Sequence, residues 1–121
     1  MKIVLGFILL ALFAAPSKAN PAQEEFTDGN YLLRSCAVAV RLIDNPDQHE
    51  TAEDAWRYGL CTGLVTGIMY ASSTVCVAPG VTTGQGIRVV DKYLREHPER
   101  LNVANVRLID DALSQAFPCK H

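Results

Sequence analysis

Apolar residues recur at helical spacing in four segments of this chain, and short polar connections separate the segments. In the first segment these positions are Leu32, Leu33, Cys36, Ala37, Val40 and Ile43. The four helices are predicted to begin near Asp28 or Asn30, at Thr51, at Thr82 and near Asn102. No strand-like alternation of apolar and polar residues interrupts them. The sequence therefore predicts an all-α fold, a small antiparallel four-helix bundle.

Two of the predicted helices carry a clear start signal. Thr51 can accept a hydrogen bond from the amide three residues on, at Asp54, whose carboxylate also favours the positive end of a helix. Thr82 and Gln85 stand at the spacing of a capping box. Pro98 follows the third helix and ends it.

The second helix is apolar over most of its length. Its buried face is predicted to contain Ala55, Trp56, Leu60, Gly63, Leu64, Gly67, Ile68 and Ala71. Gly63, Gly67 and Ala71 fall four residues apart on one stripe, where a neighbouring backbone can approach closely. The apolar stretch over residues 60–71 is too short to span a membrane, so close packing inside a bundle is expected. Trp56 shares the apolar stripe and is predicted to be a core anchor rather than an interface residue.

The fourth helix has a continuous apolar side and an acidic side. The apolar positions are Val103, Val106, Leu108, Ile109, Ala112, Leu113 and Ala116. Asp110 and Asp111 are predicted to face water.

The connection over residues 72–82 is the longest between the predicted helices, and it contains Cys76, Pro79 and Gly80. A connection of this length in a small domain is often functional. A plain connector pinned by its cysteine explains it equally well. Both interpretations stay open on the sequence alone.

Residues 1–19 are typical of a secretory signal peptide. Lys2 supplies the positive charge, residues 3–15 are apolar, and Ser17, Lys18 and Ala19 fit a cleavage site. A membrane anchor is the weaker interpretation, because the apolar run is shorter than the roughly 20 residues that span hydrocarbon. We therefore expect export to the periplasm without stable membrane insertion, a flexible polar tail over residues 20–27, and one helical domain over residues 28–121.

Four cysteines follow the predicted leader, which indicates two disulfides and an oxidising compartment. Cys36 and Cys61 lie at similar distances from the turn near Asp47, and Cys76 and Cys119 are expected at the same end of the bundle. Helix geometry thus favours the pairs Cys36–Cys61 and Cys76–Cys119 among the three pairings allowed. A Cys61–Cys76 bridge is poorer unless the helix ends early, because the loop would have to return along about 14 Å of helix.

The charge of the chain argues against two classes of partner. The predicted leader contains Lys2 and Lys18, which leaves nine basic residues against thirteen acidic ones in the mature chain. Nucleic acid and anionic membrane surfaces demand clustered Lys and Arg, so neither is expected as a partner.

The residues offer little support for catalysis or for a cofactor. His49, His97 and His121 do not stand at the ligand spacings of a structural zinc site with the cysteines. No two cysteines are separated by two residues, as in redox enzymes. Glu96 and Glu99 flank His97, and a charged turn between two helices explains them. We predict no catalytic residue, no metal and no cofactor.

Several fragments in a fixed order resemble the Rap/Tai immunity protein family. They are Cys61, Thr62, Gly63 and Gly67; Cys76, Pro79, Val81 and Thr82; Tyr93, Leu94, His97, Pro98 and Glu99; and Ala116, Phe117, Pro118 and Cys119. The resemblance extends from residue 30 to residue 119. One departure is Leu64, where the family usually has an aromatic residue after the glycine.

The resemblance implies a small exported helical bundle that is not an enzyme. It further implies that the chain binds a cognate peptidoglycan amidase effector of type VI secretion in the periplasm, occludes its active-site cleft and forms a homodimer. Loop length and position favour, as partner-binding residues, Ser73, Val77, Pro79, Val81, His97 and Glu99. The alternative is a periplasmic stress or chaperone-like helical protein that binds many clients weakly through exposed apolar surface.

Overall fold

The computed structural model describes residues 26–48 and 50–120. Its helices are α1 (Gly29–Asp44), α2 (Ala52–Ala71), α3 (Thr83–Glu96) and α4 (Asn105–Ala116), with a short 3-10 helix at Pro98–Arg100. Every pair of α-helices is in contact. The described part of the chain has no β-strand, only two isolated bridges, so the all-α, four-helix fold class is confirmed. The predicted signal peptide and residues 20–25 of the predicted tail lie outside the described residues.

None of the described helices is both long enough and apolar enough to cross a membrane.

The predicted start signals form as hydrogen bonds. The Asp54 amide donates to Thr51 Oγ1 at 3.1 Å. The Gln85 amide donates to Thr82 Oγ1 at 3.2 Å and the Thr82 amide to Gln85 Oε1 at 2.7 Å, which completes the capping box. Local sequence alone sets these two helix starts, because the acceptors and donors lie within four consecutive residues.

The prediction that the fourth helix begins near residue 102 was wrong, since α4 begins at Asn105. Residues 101–104 pair with the start of α1 instead. The Gly29 amide donates to the Val103 carbonyl at 3.0 Å, and the Asn105 amide donates to the Thr27 carbonyl at 2.7 Å. These backbone groups take part in a single bridge between Asp28 and Ala104, so they are not available for an earlier helical turn.

The core is formed by apolar side chains from all four helices. The largest fully buried ones are Leu32, Val65, Ile87, Val90, Leu94, Leu108, Ile109 and Leu113. The Cys36–Cys61 disulfide lies among them, with its Cα atoms 5.1 Å apart. The second disulfide joins Cys76 to Cys119, with a Cα separation of 4.9 Å. Both predicted pairings are confirmed.

The buried face of α2 differs from the predicted one. Cys61, Val65 and Met69 are buried, whereas Gly63 and Gly67 are exposed. A Cβ atom built on either glycine has no neighbour within 4 Å, so the predicted close approach of a second backbone was wrong. The observed α2 is thus rotated about its axis relative to the predicted orientation. The Cys36–Cys61 disulfide explains this rotation, because it turns the Cys61 side of α2 towards α1. The stripe that contains Gly63 and Gly67, two residues after Cys61 and Val65, therefore faces outward.

Trp56 is likewise not a core anchor. Its side chain is 58 % exposed, and its indole nitrogen donates to the hydroxyl of Tyr31 at 2.9 Å. The prediction failed because Trp56 belongs to the same outward stripe as the glycines.

Candidate functional site

The connection between α2 and α3, residues 72–82, is here named the 72–82 loop. Val75 is buried, at 6 % exposure, and the half-buried Val77 and Val81 pack against the core. Ser73 and Pro79 are exposed. The loop therefore has an inner apolar side that holds it on the bundle and an outer side that is open to a partner.

The tip of the loop is a tight turn over residues 78–81. Pro79 and Gly80 occupy its centre, and the Val81 amide donates to the Ala78 carbonyl at 3.3 Å. Gly80 has φ of +89°, a backbone conformation that side chains disfavour. A Pro-Gly centre with positive φ at the glycine is the signature of a type II turn. The tip is thus held in one conformation by its own sequence.

Asp110 on α4 holds the first part of the loop by hydrogen bonds. Its carboxylate accepts from Ser72 Oγ at 2.5 Å and from Thr74 Oγ1 at 2.9 Å. The prediction that Asp110 and Asp111 face water was wrong. Both are half-buried, and Asp111 accepts from Arg100 and Arg107 at 2.8 and 3.2 Å.

The residues after α4 bind the middle of the loop through backbone contacts and a disulfide. The Cys76 amide donates to the Phe117 carbonyl at 2.9 Å, and Val75 forms an isolated bridge with Pro118. The Cys76–Cys119 disulfide adds a covalent tie at the same place. Together with Asp110, these contacts connect the 72–82 loop to α4 and to the segment that follows it.

We expect Asp110→Ala to loosen the loop and to lower the free energy of unfolding by about 1 kcal/mol, because two hydroxyl donors lose a charged acceptor that is partly open to water. Amide hydrogen exchange should accelerate at residues 72–76. Asp47→Ala is the matched control, since Asp47 is an exposed aspartate in the connection before α2. Equal exchange in the two variants would show that Asp110 does not hold the loop.

The second predicted contact region follows α3. His97 ends the helix, its ring stacks on that of Tyr93 with centroids 4.1 Å apart, and its Nδ1 lies 2.8 Å from the Tyr93 carbonyl oxygen. The hydrogen bond from Arg100 to the Asp111 carboxylate raises the pKa of the Arg100 guanidinium, and Arg100 also donates to the Tyr93 hydroxyl. His97 is therefore half-buried and occupied by structural contacts, whereas Glu99 is exposed.

The structure brings together only part of the predicted partner-binding set. Ser73, Val77, Pro79 and Val81 share the 72–82 loop. His97 lies at the opposite end of α3, and the length of that helix separates the two regions by about 20 Å. The 72–82 loop is a better candidate surface than the region after α3, because the contacts that hold the loop on the bundle leave its outer side exposed.

A third surface was missed by the sequence analysis. Trp56 and Tyr70 are 58 % and 70 % exposed on the outward face of α2, with Gly59, Gly63 and Gly67 between them. We name these five residues the outer α2 face. The sequence did contain a signal for this surface, because α2 is apolar on all sides and such a helix must be covered on more than one side.

No three His, Cys, Asp or Glu side chains are grouped as metal ligands anywhere in residues 26–48 and 50–120.

The chain matches a known protein family. The family model of the Rap1a immunity proteins matches residues 28–119, which include all four helices, both disulfides and the 72–82 loop. No curated protein and no solved structure matches the chain.

Proposed function

Because the chain belongs to the Rap1a immunity protein family, it is an immunity protein for a secreted effector, and we propose that this effector is a peptidoglycan amidase delivered by type VI secretion. The family match over residues 28–119 is the observation that carries the proposal. The amidase identity extends it through the sequence resemblance described above. A partner protein rather than a small substrate is then the ligand of the exposed surfaces.

The 72–82 loop is the surface that we propose to enter the cleft of the effector. A loop already held in one conformation loses little entropy when it binds, so more of the contact energy is expressed as affinity. The type II turn at residues 78–81, the Asp110 contacts and the Cys76–Cys119 bridge all restrict it in this way. Inhibition then follows from occupying the cleft, and no residue of this chain needs to react.

We propose the periplasm as the place of action. Two disulfides require an oxidising compartment, and a peptidoglycan amidase acts where its substrate is. The predicted signal peptide over residues 1–19 would supply the route.

The homodimer that the resemblance implies stays a prediction. The outer α2 face is a suitable surface for it, because glycines let two helices approach closely. The mass of the protein in sedimentation equilibrium decides between a monomer and a dimer.

The experiment that tests the loop is the single variant Ala78→Glu. Val77 and Val81 are less suitable sites, because both pack against the core and a charge there would also destabilise the fold. Ala78 is exposed at the first position of the turn, so a carboxylate at this position should disturb only a docked partner. We expect it to weaken binding of the amidase about tenfold or more, as measured by titration calorimetry.

Ala55→Glu is the matched control for this variant. Ala55 is also exposed, and the substitution is again alanine to glutamate. Ala55 lies on the first turn of α2, away from the loop. Coexpression with amidases exported to the periplasm provides the functional measurement, scored by cell lysis. Protection that is lost equally, or kept equally, in the two variants would exclude the 72–82 loop as the contact surface.

One observation favours a chaperone-like role as a second candidate. The outer α2 face exposes two large aromatic side chains, which could hold unfolded clients. A pull-down from periplasmic extract separates the two functions, since an immunity protein retains one partner tightly and a chaperone retains many weakly.

A further inference from the structure

The two disulfides lie in opposite environments. Cys36 and Cys61 are both 0 % exposed and are enclosed by the core. Cys76 is exposed and Cys119 is half-buried, beyond the end of α4. Thiol–disulfide exchange requires an attacking thiolate to reach one of the sulfur atoms, so access differs sharply between the two bridges.

The bridges also differ in what they join. The inner one links α1 to α2, whereas the outer one links the 72–82 loop to the segment after α4. Opening the outer bridge leaves the contacts between helices in place. It removes only the covalent tie between the loop and residues 117–120.

We propose that the Cys76–Cys119 bridge is a redox latch, which a dithiol reductant opens while the Cys36–Cys61 bridge stays closed. In the first step a thiolate of the reductant attacks the Cys76 sulfur, the sulfur–sulfur bond breaks, and Cys119 leaves as a thiolate that takes up a proton. In the second step the other thiol of the reductant attacks the mixed disulfide and releases Cys76. The protein gains two electrons and two protons, and the dithiol is oxidised to a disulfide.

The direction of attack follows from the surroundings of the two sulfurs. The Cys119 sulfur lies 3.7 Å from the Ser73 carbonyl oxygen, which crowds one of its sides. Cys76 is the more exposed residue of the pair. We therefore assign the Cys76 sulfur as the one that an incoming thiolate attacks.

Opening the latch loosens a defined part of the chain. The loop keeps its hydrogen bonds to Asp110 and its buried Val75, so residues 72–75 stay in place. Residues 76–80 and 117–120 lose their covalent restraint and are then held by the hydrogen bond from the Cys76 amide to the Phe117 carbonyl and by the packing of Val77. If the loop is the inhibitory surface, a point that depends on the proposed function, the opened protein binds its effector more weakly because the loop must be ordered on binding.

Limited reduction with dithiothreitol, followed by N-ethylmaleimide and mass spectrometry, tests the latch on the protein alone. Met69 lies between Cys61 and Cys76, so cyanogen bromide cleavage together with trypsin separates the four cysteines onto different peptides. We expect Cys76 and Cys119 to be labelled first and Cys36 and Cys61 more than about tenfold more slowly, at the rate of global opening. Labelling of all four cysteines at one rate would overturn the proposal.

Two further readouts complete the test. The double variant Cys76→Ala/Cys119→Ala should keep its helical circular dichroism signal, and loss of that signal would contradict a latch that acts on the loop alone. The opened protein should inhibit the amidase at least about tenfold more weakly than the closed one, and equal inhibition would remove the switching role. If the closed protein inhibits no amidase, the proposed function fails, whereas the latch is still judged by the labelling.

Discussion

Replacing both cysteines of the inner bridge, Cys36→Ala/Cys61→Ala, lowers the free energy of unfolding by about 3.5 kcal/mol. The bridge closes a loop with a sequence separation of 25 residues, and the chain entropy that it removes from the unfolded state has about this value. The two sulfurs are fully buried, so their removal also leaves unfilled space in the core. A loss of this size is a large part of the stability of a small domain.

Urea unfolding followed by circular dichroism measures this loss. The unfolded variant is less compact without the inner bridge, so the dependence of unfolding free energy on urea should also become steeper. A decrease below about 1 kcal/mol with an unchanged slope would mean that the bridge does not restrict the unfolded chain.

The variant Gly29→Ala lowers the free energy of unfolding by about 2 kcal/mol, because a methyl group at this position overpacks the contact between α1 and α4. A Cβ atom there would lie 3.0 Å from both the Cα and the carbonyl oxygen of Leu101 and would collide with the side chain of Leu108. The Gly29 amide also donates to the Val103 carbonyl, so the backbone cannot move away without losing that bond.

Gly63→Ala is the matched control and has the opposite expected sign. A Cβ atom on Gly63 meets nothing within 4 Å, so alanine should stabilise the exposed helix by about 1 kcal/mol through its better helix propensity. Thermal unfolding of the two variants side by side gives both signs. A stabilising Gly29→Ala, or a destabilising Gly63→Ala, would contradict the packing described for these helices.

The features that could be predicted from the sequence are those that neighbouring residues decide. The Thr51 cap and the Thr82–Gln85 capping box are complete within four residues, and both are present. The disulfide pairing followed from the rise per residue of a helix. The all-α fold class followed from apolar spacing at a single period.

The features that could not be predicted depend on partners far along the chain. The rotation of α2 is set by Cys36, which lies 25 residues before Cys61. The role of Asp110, which lies on α4, depends on Ser72 and Thr74, which belong to the 72–82 loop. Spacing alone also selected the wrong glycines, because Gly63 and Gly67 face outward whereas Gly29 is the glycine that packs closely.

The candidate site shows the same division. The length of the 72–82 loop singled it out in the sequence, whereas the type II turn at its Pro79-Gly80 pair was identified in the structure. The exposure of Ala78 at the first position of that turn required the structure, as did the inward position of Val77 and Val81. Sequence could therefore locate the loop but could not identify which of its side chains face a partner.

The most direct test of the account is a titration of the purified protein into the amidase proposed as its effector, with cleavage of peptidoglycan as the measured activity. Inhibition by occupation of the cleft predicts that activity falls to zero at one binding site per amidase and that both chains keep their masses. Inactivation by substoichiometric amounts of the protein, or a covalent change in the amidase, would contradict it.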